Sequence, residues 1–382
     1  MTESSFMLEA LELAKKGQYT SRPGASVGCI ISKDNKIIGE GFYEYFGAKH
    51  AEIVAIESVK EKYQNFEEVL SGSVITVTLE PCSTFGKTPP CIDEVLKYNF
   101  KKIVIGNLDP SQSSLDRLKK SGMEVVIEQL PNGLNKGFFK TLEKHKPYVR
   151  AKIAMSEDKK IAFINDDNQW ITSPESRLDS HKYRALSDLV ITGSGTIKRD
   201  NPALTVRDDE IIKLNNFIQP ARAIVSANSS LDKNLKIFKT AGRKLIFCTE
   251  KKVFNDVEGI ENLNLYEIKE SDINLIIRFL YEIKESDNQI DLSDLMKKIT
   301  ELGMHDILLE SGPKLISSFI EANLIDEFII YIAPKILSNT ALSFFNGDDS
   351  KSPFYSDEFE LIEESVIKKD KKLIYRRKNG TE

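Results

Sequence analysis

The sequence has few of the residues that mark several protein classes. Its 382 residues include four cysteines, four histidines and one tryptophan. So few cysteines in so long a chain exclude a disulfide framework of the secreted kind. No run approaches the roughly 18 apolar residues of a membrane helix, and the amino-terminal segment has neither the basic nor the apolar region of a signal peptide. We therefore expect a cytoplasmic protein with no membrane partner.

An excess of positive charge is also missing. The formal net charge is -5, which excludes nucleic acid as a bulk electrostatic partner. No GxGxxG sequence follows a first strand, so a Rossmann dehydrogenase is not predicted. The length exceeds one ordinary hydrophobic core, and a polar, basic run ending at Pro147 predicts two domains, 1–146 and 147–382.

Predicted helices and strands alternate in both halves, which indicates an α/β fold throughout. In the first half, "SVITVTLE" is a strong strand and "HAEIVAIESVKEKY" a helix; in the second, the late strands "EFIIYIAP" and "KKLIYRR" could form an antiparallel edge. The heptapeptide "YEIKESD" occurs at Tyr266–Asp272 and again at Tyr281–Asp287. Two copies are too few for a solenoid, so we interpret them as a local duplication without a functional role.

The stretch "LEPCSTFGKTPPC" places Cys82 and Cys91 in one loop between a predicted strand and a predicted helix. His50 opens another predicted helix and Glu52 follows it. One imidazole and two thiolates form a three-ligand zinc set that leaves a fourth position open for water, and an adjacent carboxylate can transfer protons. The alternative is that the cysteines are small buried apolar residues. We predict that alternative for Cys29 and Cys248, and a zinc site for His50, Cys82 and Cys91.

These residues resemble the deaminase half of the bifunctional riboflavin-biosynthesis deaminase/reductase family. "HAE" with "TLEPCSTFGKTPPC" carries the likeness in the first half, and "QWITSPESR", "GTIKRDNPALTVR", "LLESGPKL" and "DEFIIYIAPKIL" carry it in the second, in the family's order. The resemblance implies a cytidine-deaminase-like α/β/α sandwich followed by a dihydrofolate-reductase-like α/β domain. It also implies zinc-dependent deamination of an aminopyrimidinone ribose phosphate, and then NADPH-dependent reduction of the ribose to a ribityl chain.

The resemblance implies a role for each of several residues. Zinc would be held by His50, Cys82 and Cys91, with Glu52 as the catalytic proton carrier. The residues that would contact NADPH are Lys152, Ala154, Trp170, Thr196, Asp200, Gly312, Pro313 and Lys314. Those that would contact the phosphorylated pyrimidine substrate are Lys87, Arg184, Leu204, Arg207 and Glu310. The arginines suit a phosphate because the guanidinium group binds it through two hydrogen bonds. We also expect a homo-oligomer, either a dimer or a tetramer.

Several positions of the first half depart from the family pattern. They are Gly24, Ser26, Tyr43, Thr84, Phe85 and Ser111. One interpretation is drift with compensating contacts; another is an active reductase whose deaminase domain has an altered substrate or weak activity. A third hypothesis, a zinc-stabilised scaffold without activity, would need a closed site, which normally has four protein ligands, whereas the sequence offers three.

Overall fold

The computed structural model describes residues 3–130, 133–162, 170–226, 231–248, 278–282, 285–286, 289–337 and 341–378. The chain divides into two units. The first runs from the amino terminus to Lys144 and includes Leu214–Phe217, and the second contains His145–Lys213 and the chain from Ile218 onward. The domain boundary between residues 146 and 147 stays a prediction.

The first unit is built around a five-stranded sheet. Its strands are β1 Gly28–Lys33, β2 Lys36–Phe42, β3 Val74–Leu79, β4 Lys102–Asn107 and β5 Glu124–Ile127. Its helices are α1 Glu3–Lys16, α2 Ala51–Lys62, α3 Phe66–Leu70, α4 Cys91–Val95, α5 Leu115–Lys120 and α6 Lys136–Lys144. The strand order is β2-β1-β3-β4-β5, with β1 antiparallel to both neighbours and the last three strands parallel.

Helices cover both faces of this sheet. Successive residues of β1 point to opposite faces, and each set packs against helices. Cys29 and Ile31 join a buried cluster with residues of α2 and α4, whereas Ile30 packs with residues of α1. The arrangement is an α/β/α sandwich, which confirms the predicted class for the first half. The predicted role of Cys29 as a buried apolar residue is also confirmed, since its exposure is 0%.

The second unit contains a nine-stranded sheet and two short ribbons. Its strands are β6 Tyr148–Ser156, β7 Lys160–Ala162, β8 Leu189–Gly193, β9 Ala221–Ser226, β10 Lys244–Cys248, β11 Arg278–Glu282, β12 Glu285–Ser286, β13 Gln289–Ile290, β14 Asp306–Leu309, β15 Glu327–Ala333, β16 Leu342–Ser343, β17 Phe359–Ile367 and β18 Asp370–Arg377. Its helices are α7 Pro174–Leu186, α8 Ser194–Asp200, α9 Asp209–Ile212, α10 Lys236–Lys239, α11 Leu292–Glu301 and α12 Pro313–Glu321, and Asp349–Lys351 forms a 3-10 turn.

The large sheet has the order β11-β10-β9-β8-β14-β6-β15-β18-β17. Its strands are parallel from β11 to β15, and β18 is antiparallel to β15 and β17. This confirms the predicted late antiparallel edge. One face packs on α11 and α12 and the other on residues of α8 and α10. The first "YEIKESD" copy and part of the second lie outside the described residues, as does the side chain of Cys248.

In the described parts of the chain, no helix is both long and apolar enough to cross a membrane.

Candidate active sites

The loop after β3 brings its two cysteines together at the start of a helix. Cys82 follows the end of the strand by three residues, and Cys91 is the first residue of α4, with Pro90 at the N-cap. The backbone N–H of Cys91 donates to the Cys82 sulfur at 3.2 Å, and that of Ile92 donates to the Cys82 carbonyl at 3.2 Å. These bonds close the loop, so both sulfurs face the same point despite the eight residues between them.

The histidine reaches that point from α2. His50 is the N-cap of the helix, and its Nδ1 lies 3.1 Å from the sulfur of Cys91 and 3.5 Å from that of Cys82. Within the described residues, these side chains are the one group of three or more His, Cys, Asp or Glu residues whose ligand atoms all lie within 4.8 Å of one another. The predicted metal ligands therefore converge.

This donor set suits zinc. Tetrahedral zinc with nitrogen and sulfur ligands places neighbouring donor atoms about 3.5 Å apart; the His50–Cys82 distance equals this value, and the His50–Cys91 distance of 3.1 Å is somewhat shorter. Hydrogen bonding within the cysteine pair lowers the pKa of Cys82 to about 4 and raises that of Cys91 above its usual value. Cys82 is therefore the cysteine of the pair that ionises more readily, and the thiolate is the form of cysteine that binds a metal. With three protein ligands the set is open, as in a catalytic site.

Glu52 lies in the first turn of α2, two residues after His50, and is 3% exposed. Burial raises the pKa of Glu52 to about 6, although the positive charge of His50 opposes the shift. A carboxyl group with a pKa near the working pH can both accept and release a proton. The carboxylate is thus placed and tuned for proton transfer beside the three ligands.

Several departures from the family pattern make contacts of their own around this site. The Tyr43 ring meets the His50 ring edge to face, with centroids 5.2 Å apart, and the Tyr43 hydroxyl accepts the N–H of Gly47 at 2.7 Å. The backbone of Ser26 exchanges two hydrogen bonds with the Asn135 side chain, at 2.8 and 2.9 Å. Replacement contacts of this kind favour drift with compensation.

Other predicted residues line the loop more openly. Lys87 is exposed, and its ammonium group lies 4.0 Å from the centre of the Phe46 ring. Phe85 is 79% exposed. The Lys87 ammonium group, in the same loop as the two cysteines, therefore packs over the ring of Phe46, which precedes α2.

The second unit gathers another cluster at the carboxyl end of β14. Glu310, which follows the strand and is 8% exposed, binds Arg184 of α7 through two hydrogen bonds, Nε to Oε1 at 2.5 Å and Nη2 to Oε2 at 3.0 Å. Lys152 of β6 adds a contact at 3.4 Å. Burial alone would raise the pKa of Glu310, but the two cations hold it at about 2. Parallel sheets commonly bind ligands at this end.

The segment after α8 is tied to the same cluster. Arg184 Nη1 donates to the carbonyl of Thr205 at 2.8 Å, and the backbone N–H of Arg207 donates to Nδ1 of His181 at 2.7 Å. Leu204 is buried and adopts a left-handed backbone conformation with φ 54°. These contacts tie the segment that contains Leu204 and Arg207 to α7, and the assignment of both residues to a substrate site stays a prediction.

The two predicted cofactor turns are joined by hydrogen bonds. The N–H of Gly312, at the N-cap of α12, donates to the Thr196 hydroxyl at 2.8 Å. The N–H of Gly193, at the N-cap of α8, donates to the Ser311 hydroxyl at 3.0 Å. Both turns therefore form one surface at the ends of β8 and β14.

The remaining predicted cofactor contacts lie further out. Trp170 is 68% exposed, with the Arg177 guanidinium 4.5 Å from its ring centre, so it is not the core aromatic that a lone tryptophan often is. Asp200 is exposed and pairs with Arg199 at 3.0 Å. Ala154 lies in β6, opposite Tyr331 of β15, and Pro313 and Lys314 lie in the first turn of α12.

Sequence reasoning missed two residues of the second site. Arg177 stacks on Trp170, and His181 accepts from the Arg207 backbone. A signal existed for His181, because it lies three residues before Arg184 on a helix and so shares its face.

Comparisons with known proteins agree with this geometry. A family model described as the RibD C-terminal domain matches residues 147–372. A second, described as the zinc-binding region of cytidine and deoxycytidylate deaminases, matches residues 1–107, which include the three ligands and Glu52.

Full-length relatives share both halves. The chain is 36% identical to the riboflavin biosynthesis protein RibD of Buchnera aphidicola subsp. Baizongia pistaciae, over 100% of each chain, and 32% identical to that of Escherichia coli, over 89% of this chain and 90% of the relative. Two solved structures each cover 98% of both chains. Acinetobacter baumannii RibD has a TM-score of 0.83 at 32% identity. A Thermotoga maritima diaminohydroxyphosphoribosylaminopyrimidine deaminase/5-amino-6-(5-phosphoribosylamino)uracil reductase has a TM-score of 0.79 at 29% identity.

Proposed function

The chain belongs to the RibD family of riboflavin-biosynthesis enzymes, which join a deaminase domain to a reductase domain, and from that membership we propose how its residues divide the two reactions. The first is hydrolytic deamination of 2,5-diamino-6-(5-phosphoribosylamino)pyrimidin-4-one. The second is NADPH-dependent reduction of the ribosyl group to a ribityl chain. The observation that carries the proposal is the convergence of His50, Cys82 and Cys91 beside a buried glutamate.

For deamination, His50 Nδ1 and the sulfurs of Cys82 and Cys91 would hold zinc. Bound zinc supplies Lewis acidity that makes hydroxide available near neutral pH. The Glu52 carboxylate takes the proton that water gives up and returns it to the departing amine. Lys87 lies between the two cysteines and packs over the Phe46 ring, and its ammonium group is a cation that can bind the substrate phosphate.

For reduction, NADPH carries the hydride, and the chain supplies binding and orientation. The helix start at Gly312, joined to Thr196, presents backbone N–H groups that suit a cofactor phosphate. Three nitrogens of Arg184 already bind Glu310 and Thr205, so Arg184 fixes the site's shape. Arg207 is exposed, and we assign the substrate phosphate mainly to its guanidinium group.

A second candidate is an active reductase with an altered or weak deaminase. It is favoured by the departures at Tyr43, Phe85 and Ser111. Against it stand the open three-ligand set, the buried Glu52 and the replacement contacts around them.

The deciding experiment is a paired assay on zinc-loaded protein with the aminopyrimidine ribose phosphate. Ammonia release and NADPH consumption are followed separately, with pre-deaminated substrate as a control for the second reaction. We expect ammonia first and NADPH consumption after it. Absence of ammonia, with NADPH still consumed on pre-deaminated substrate, would select the second candidate.

The homo-oligomeric state and the cytoplasmic location are further proposals from the sequence. Light scattering of the purified protein would test the first, since a monomeric mass would contradict it. Cell fractionation would test the second.

A further inference from the structure

One side chain from a distant loop holds the backbone that follows Cys82. Oε1 of Gln112 accepts the backbone N–H of Ser83 at 2.8 Å and that of Thr84 at 3.2 Å. It also lies 3.3 and 3.0 Å from the hydroxyl groups of the same two residues. The first two residues after a predicted zinc ligand are therefore bound to a single amide oxygen.

The other end of that amide is fixed as well. Nε2 of Gln112 donates to Oδ2 of Asp109 at 2.9 Å. The second oxygen of Asp109 accepts the N–H and the hydroxyl of Ser111, at 2.9 and 2.6 Å. Because a carboxylate only accepts hydrogen bonds, Asp109 determines that the amide turns its nitrogen inward and its oxygen toward the cysteine loop.

A second anchor stands on the other side of Cys82. Glu80 is 4% exposed, and its Oε1 accepts the N–H and hydroxyl of Ser114 at 2.5 and 3.1 Å. Its Oε2 accepts the N–H of Asp109 at 3.2 Å. Residues on both sides of Cys82 are thus tied to the segment 109–114: Ser83 and Thr84 through Gln112, and Glu80 through its own carboxylate.

Two of the family departures meet in this network. Thr84 and Ser111, which both depart from the family pattern, belong to it: Thr84 binds Gln112, and Ser111 binds the same Asp109 that orients Gln112. We propose that Gln112 is a positioning residue for the metal ligand Cys82, and that the network around it compensates for these departures. The inference deepens the proposed function and rests on Cys82 being a zinc ligand of a deaminase.

The first test is Gln112→Leu, which keeps the approximate volume and removes both hydrogen-bonding ends. Loss of an outer partner of a metal ligand commonly weakens metal binding about 10–100-fold. We therefore expect zinc to transfer to a chelator about 10-fold faster than in the wild type, with a lower kcat for ammonia release. NADPH oxidation on pre-deaminated substrate, in the same protein, should keep its kcat and KM. Exposed Gln64 gives the matched control Gln64→Leu, which should match the wild type in all three.

A charge exchange makes the test independent of general damage to the fold. Gln112→Glu keeps an acceptor for Ser83 and Thr84 but places a second carboxylate against Asp109, so zinc loss should again accelerate. Adding Asp109→Asn restores a donor between the two side chains, and the double variant should return toward the wild-type rate. The proposal is overturned if Gln112→Leu and Gln112→Glu both lose zinc at the wild-type rate, or if adding Asp109→Asn to Gln112→Glu restores nothing. If the wild type releases no ammonia, the proposed deamination fails, while the zinc-loss rates still decide the role of Gln112.

Discussion

At the scale of single residues, the two sites use buried ionisable groups in opposite ways. Burial raises the pKa of Glu52 to about 6, and the charge of His50 opposes this shift only in part. Glu310 is also buried, but Arg184 and Lys152 hold its pKa at about 2. The first carboxyl can exchange protons near neutral pH, whereas the second stays a permanent anion that fixes neighbouring cations.

Glu52→Gln is expected to keep zinc and lose ammonia release. The amide has the shape of the carboxyl group but cannot transfer a proton, and such transfer contributes about 10²–10⁴-fold to a rate. We expect ammonia release to fall by at least about 100-fold, with zinc content and NADPH oxidation on pre-deaminated substrate unchanged. Normal ammonia release in this variant would end the assignment of Glu52.

His181 predicts a pH dependence in the second unit. Burial and the charges of Arg184 and Arg207 lower its pKa to about 4, while Glu310 and Asp208 act in the other direction. The neutral ring accepts the Arg207 backbone N–H. Because the folded pKa lies below the unfolded value of about 6.5, the stabilisation is complete above pH 6.5. It is lost as the pH falls from 6.5 toward 4, where the unfolded chain binds the proton more readily.

Gln at this position accepts the same N–H and does not titrate, so His181→Gln provides the comparison. Unfolding of the second unit can be followed through Trp170, the only tryptophan of the chain. Between pH 6.5 and 4 the wild type should lose stability faster than His181→Gln. Parallel stability curves for the two proteins would contradict the role given to His181.

At the scale of elements, the packing of α2 against the sheet depends on a glycine of β2. A Cβ added at Gly41 of β2 would lie 2.3 Å from the Ala51 carbonyl oxygen and 2.4 Å from the Ala55 nitrogen. Only glycine lets the helix backbone approach the strand this closely. The position of His50 and Glu52 at the start of α2 therefore depends on a residue with no side chain.

Gly41→Ala should accordingly destabilise the first unit and disturb its zinc site. Overpacking of this kind costs about 1–3 kcal/mol, which thermal unfolding and zinc affinity would both detect. Gly86→Ala is the control for stability, because a Cβ at Gly86 meets nothing within 4 Å. Equal unfolding temperatures for the two variants would show that α2 can shift without cost.

The edge strand β17 shows where sequence patterns fail at this scale. Its sequence "FELIEESVI" was not predicted as a strand, and only Phe359 of its nine residues is buried. A strand with two largely exposed faces shows little alternation of apolar and polar residues, so its formation depends on pairing with β18. The strand "EFIIYIAP", by contrast, was predicted and forms β15, because its apolar run is continuous.

At the scale of the whole molecule, each unit has a core of its own. Residues of α2, α4 and the first sheet form one buried cluster, and residues of α11, α12 and the second sheet form another. The three predicted metal ligands lie in the first unit, and the Arg184–Glu310 pair lies in the second. The two activities should therefore be separable in the intact chain.

Removal of zinc by a chelator should abolish ammonia release and leave NADPH oxidation on pre-deaminated substrate unchanged. Adding zinc back should restore the first activity. The reductase half-reaction serves as the internal control, because its proposed residues include no metal ligand. A parallel loss of both activities would show that the second unit depends on the metal of the first.

The sequence by itself predicted the zinc ligands, the α/β class and the order of the two halves, and it placed Glu52, the proposed proton carrier, beside His50. These are local features: His50 and Glu52 share one helix start, and Cys82 and Cys91 share one loop. Only the tertiary structure decided that Gln112 holds Ser83, 29 residues earlier, and that Glu310 holds Arg184, 126 residues earlier. The physical reason is that a hydrogen bond between distant segments depends on which strands lie side by side, and residue spacing along the chain carries no record of that order.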